Sequence, residues 1–146
     1  MSNYTENIIK ILASLPEFLR KPMIRSRIND FFNMDDEEKF AIISNVLYTL
    51  PEIEFDILSK LIKTWVEVIN ILDEKKRYEI FNIYASILDN NPSILSRLNI
   101  EGLKKVFEEM DESMKDKIGS SIRTAIISKT NLLQNLSNDV KSMLKI

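Results

Sequence analysis

The chain has no histidine and no cysteine among its 146 residues. Without them there is no Ser-His-Asp or Cys-His nucleophilic site. Zinc sites of the usual kind and the Glu-x-x-His motif of di-iron bundles are excluded as well. A chain without cysteine carries no disulfide, which suits a reducing compartment. Only two glycines occur, Gly102 and Gly119, so no glycine-rich phosphate loop exists. Two glycines and four prolines also leave little material for β-hairpin turns. Charge of one sign is lacking too: the net charge is −2, too small a field to favour nucleic acid or an anionic membrane. The longest run without charge, Phe40 to Pro51, is too short to span a bilayer. Met1-Ser2-Asn3-Tyr4 has neither the basic start nor the apolar run of a signal peptide. The expectation is a soluble cytoplasmic protein with no cofactor, no metal and no membrane partner.

What is present is a helical pattern that returns. Met34-Asp35-Asp36-Glu37-Glu38-Lys39 comes back as Leu72-Asp73-Glu74-Lys75-Lys76-Arg77, and again as Met110-Asp111-Glu112-Ser113-Met114-Lys115. Positions 35, 73 and 111 lie 38 residues apart. Each copy has the form of a helix start. The Asp carboxylate can accept from the first free backbone N–H groups, and acidic residues suit the positive end of the helix dipole. Lys39, Arg77 and Lys115 share one place, where the helix leaves that first turn. Behind the caps, Ile42, Ile80 and Ile118 align, then Val46, Tyr84 and Ile122, then Leu50, Leu88 and Ile126. Steps of four put each set on one helix face. Ile57, Leu95 and Leu133 align further on, and Ile8, Leu12 and Leu19 extend the frame backwards. Leu15-Pro16-Glu17-Phe18 and Leu50-Pro51-Glu52-Ile53 share one pattern at a spacing of 35, so the turn differs in length between copies.

The fold class expected is all-α: about four stacked helical hairpins with a repeat of about 38 residues, forming one helical domain over residues 1–146. The alternative is an irregular helical bundle. In its period and caps the chain resembles α-solenoid proteins of the HEAT-like kind. That resemblance implies a scaffold or adaptor role, by analogy of fold alone.

Along the chain, residues 3–14 form the first helix. Pro16 suits the first turn of the next, and Pro22 inside it predicts a kink or break near Arg20-Lys21. Residues 36–49 follow, with Ile42, Val46 and Leu50 on one stripe and Ile43 and Leu47 on another, packed on two sides. A long helix over 52–71 is the expected centre, with Leu61 and Trp65 mostly buried. Helices over 74–88, 93–98 and about 100–110 come next. In the helix over 112–127, Gly119, Ser120, Ser121 and Thr124 are expected to face away as a polar cap, or else to admit another helix closely. A final helix runs from about 130 to 144.

Two groups of charges are candidates for function. Glu108-Glu109-x-Asp111-Glu112 is the densest acidic run, and Asp35 to Glu38 the next. As a calcium loop the first fails, because Ser113 and Lys115 fall at ligand positions and no glycine makes the turn. Both runs are expected to be caps and solvated charge. Arg20, Lys21, Arg25 and Arg27 form the one basic cluster, a candidate contact for an anion or a partner. Residues 1–33 hold five basic and three acidic residues, against three and eight in 34–68. No aromatic platform of the kind that stacks bases interleaves with the cluster. The function expected is a non-enzymatic protein–protein interaction module. The alternative is a small helical nucleic-acid-binding subunit of a nucleoprotein complex, which the negative net charge disfavours.

The common caps carry a first prediction. Asp35→Ala, Asp73→Ala and Asp111→Ala should each cost about 0.5–2 kcal/mol. Urea unfolding of the three variants checks this, and a cost at one position with none at the others would show that the caps are not equivalent.

Overall fold

A computed structural model describes residues 2–146, with side chains from Tyr4 onward. The described residues form nine α-helices, two 3₁₀ segments and no strand. The helices are α1 (Ser2–Ser14), α2 (Glu17–Phe32), α3 (Asp36–Thr49), α4 (Phe55–Asn70), α5 (Glu74–Asn90), α6 (Ile100–Glu108), α7 (Glu112–Ile126), α8 (Thr130–Asn135) and α9 (Asn138–Met143). The 3₁₀ segments are Leu50–Glu52 and Pro92–Arg97. Helices α2, α3, α4 and α5 begin at 17, 36, 55 and 74, in steps of 19 residues, and α6, α7, α8 and α9 begin at 100, 112, 130 and 138. None of the described helices is long and apolar enough to cross a membrane.

The helix starts follow from the caps. Asp35, Asp73 and Asp111 are all extended, and their carboxylates accept from the backbone N–H of Glu38, Lys76 and Met114 at 2.8, 2.9 and 2.8 Å. Asn99 does the same for α6, through Gly102, and Ser137 for α9, through Val140. Asp89 of α5 reaches a neighbouring helix and accepts from Leu132 N–H at the start of α8.

Contacts group the helices into two compact units, Met1–Val68 and Ile69–Ile146. In the first, α1 packs on α2 and α3. Ile9, Ile53 and Leu58 form a core there, with Leu50, Phe55, Leu61 and Ile62 against it. Arg20 is buried, at 8% exposure. Its guanidinium donates to the carbonyls of Leu12, Ala13 and Leu15, and to the Thr64 hydroxyl on α4. The last carbonyls of a helix have no partner within it, and Arg20 supplies one across the turn. Lys39, also buried, lies 5.7 Å from the ring centres of both Phe31 and Phe32.

In the second unit α5 packs on α7 and α8. Its core joins Ala85, Ala125, Ile126, Leu132, Val140 and Leu144. Arg77 stands in α5 where Arg20 stands in α2, as the fourth residue of the helix. It donates to the Leu72 carbonyl, five residues back, and to the Ser121 hydroxyl 44 residues on, at 3.3 Å. Arg20 likewise reaches five residues back and 44 on, at 2.6 and 3.3 Å. Arg123 donates to the Leu144 carbonyl past the end of α9.

Several expected details are corrected. The α2 helix runs unbroken through Pro22. The missing N–H deprives only the Phe18 carbonyl, and both residues lie on the exposed side, where water can serve it. The expected helix over 52–71 begins only at Phe55, because Leu50–Glu52 is a 3₁₀ turn that delivers Ile53 into the core. Leu61 and Trp65 are more buried than exposed, as expected, beside the buried Leu58, Thr64, Val66, Val68 and Ile69 of α4. In α3 the buried stripe is Ile43 and Leu47, while Ile42 is 39% exposed. Gly119 and Ser121 are buried rather than outward. A Cβ on Gly119 would lie 3.3 Å from the Phe107 ring, so the glycine admits α6 closely. The final helix is split, because Leu136 is extended and Ser137 caps a new start.

One tyrosine has a consequence for pH. Tyr4, Tyr48 and Tyr78 are exposed, whereas Tyr84 in α5 is half-buried and burial pushes its hydroxyl above the ordinary tyrosine range. The folded state therefore favours neutral Tyr84. That contribution is fully present below about pH 10, the unfolded value, and is lost as pH rises toward the higher folded value. Thermal midpoints taken from about pH 9 to 11 should fall more steeply for the natural chain than for Tyr84→Phe; parallel falls would place the effect elsewhere.

Candidate functional site

The four residues of the basic cluster all lie on α2, and the structure separates them. Arg20 points inward with its donors engaged by α1 and Thr64. Lys21 is half-buried and pairs with Glu67 of α4 at 3.3 Å. Arg25 and Arg27 are exposed. Two of the four cations therefore join α2 to its neighbours, and two face water.

Why they separate follows from the turn of the helix. Arg20, Ile24, Ile28 and Phe31 are the buried residues of α2. At about 100° per residue they share one side, with Met23 about a right angle from it, Phe18 and Leu19 farther round, and Pro22 between those two, nearly opposite. A helix at a protein surface ordinarily puts polar residues there. Here Phe18 is 76% exposed, Leu19 43% and Met23 42%. Pro22 lies between them, also exposed. Arg25 stands near the line of Phe18, Arg27 turns back toward the line of Arg20, and the exposed Asp30 falls between the lines of Leu19 and Met23.

Exposed apolar surface is concentrated in this part of the chain. Of the thirteen large hydrophobic side chains exposed among the described residues, nine belong to the first unit. Single exposed apolar residues need no explanation, whereas a contiguous group marks an interaction surface. A second apolar feature of this unit is an open groove of about 500 Å³ lined by Lys10, Ile11, Ala13, Ser14, Ile57 and Lys60. Lys10 pairs there with Glu6, one turn back on its own helix.

The acidic runs have local work. Asp35 and Asp111 cap helices, and the other carboxylates of their runs are exposed. No group of three or more His, Cys, Asp or Glu side chains among the described residues could hold a metal ion.

The expected break near Arg20-Lys21 concealed this face. Once α2 is cut there, Phe18 and Met23 belong to different segments and share no side. The spacing of Ile24, Ile28 and Phe31 carries the signal, because carried back one turn it sets Arg20 inside and Phe18, Leu19, Pro22 and Met23 outside. The partners of Arg20 and Lys21, 44 and 46 residues away, have no such local signal. Comparison with protein-family models, with curated proteins and with solved structures returns no match for this chain.

Proposed function

We propose that this protein is a non-enzymatic interaction module of the helical-repeat type, and that it docks another protein on the outward face of α2. The observation that carries the reading is the exposure of Phe18, Leu19 and Met23 in the first half of α2, away from its buried side. Aromatic, Met and Arg side chains are the ones enriched at protein interfaces, and this face brings all three together.

The repeat reading has its own support. Helices α2 to α5 start 19 residues apart, half of the 38-residue period of the caps. Packing of a helix on the second one after it recurs, as α1 on α3 and α5 on α7. Stacked helical hairpins build extended surfaces that suit protein partners.

The nucleic-acid alternative loses ground on the same helix. With Arg20 buried and Lys21 paired, the exposed cations of the cluster reduce to Arg25 and Arg27. Two phosphate contacts give only a weak, shallow salt dependence.

The test is co-purification from the native source. Proteins that accompany the full chain are identified, and the experiment is repeated with Phe18→Ser/Met23→Ser. Their recovery should fall about tenfold while the thermal midpoint moves by no more than about 2 °C, since both changed residues are exposed. An unchanged set of partners would contradict the reading. Tight, salt-sensitive binding to duplex DNA or single-stranded RNA, lost in Arg25→Gln/Arg27→Gln, would establish the alternative.

A further inference from the structure

We draw no further inference here: the strongest candidate, the open apolar groove between α1 and α4 lined by Lys10, Ile11, Ala13, Ser14, Ile57 and Lys60, carries nothing, because Lys10 is already paired with Glu6 and nothing in the structure shows what covers the groove.

Discussion

A short helix ends soon after it begins, and each end leaves backbone groups that need partners. This chain builds many short helices, so the provision of those partners is the constraint on which the structure depends. At the front ends the partners are local: Asp35, Asp73, Asp111, Asn99 and Ser137 each accept from an N–H three residues on. At the back ends they come from side chains across the following turn or, for α9, from another helix. Arg20 donates to three carbonyls at the end of α1, Arg77 to Leu72 after α4, and Arg123 to Leu144 after α9. Charge-assisted bonds of this kind contribute about 1.5–3 kcal/mol each, more than neutral ones. They also fix geometry, because Arg20 and Arg77 each hold a turn with one part of the guanidinium and a hydroxyl on another helix with another. Within each unit the same residue thus sets both the angle of a joint and the neighbour of a helix.

Those two kinds of partner explain what could be read from the sequence. The front caps were legible, because an Asp and the N–H it serves lie three residues apart. The all-helical class followed from the same local signals, together with apolar residues at helical spacing. The back-end partners were not legible. Arg20, Lys21, Arg25 and Arg27 form one basic run in the sequence, and although the spacing of Ile24, Ile28 and Phe31 turns Arg20 inward, nothing local names the groups it meets there. Only the fold brings Thr64 to Arg20 and Glu67 to Lys21. Interruptions were hard for a related reason. Pro22 is a strong breaker by itself, yet the helix carries it on the exposed side. Leu136 and Ser137 look continuous with their flanks, yet a new cap forms there. Gly119 was weighed as part of a polar face, and its role depends on Phe107, twelve residues away, packing against it.

The exposed side of α2 is a product of the same anchoring. Arg20 fixes the inner side of α2, and that fixes which side turns out. The outward side carries Phe18, Leu19 and Met23, exposed at 76, 43 and 42%. Arg25 and Arg27 face water, while Arg20 and Lys21 are engaged within the fold.

The central claim is that Arg20 and Arg77 are equivalent stitches, one in each unit. Double-mutant cycles by urea unfolding measure this directly. One cycle pairs Arg20→Met with Thr64→Val, the other Arg77→Met with Ser121→Ala. Both pairs lie at 3.3 Å. The account predicts favourable coupling of roughly 0.5–3 kcal/mol in each cycle, of the same sign. Additive effects in either cycle, with no coupling beyond error, would contradict it.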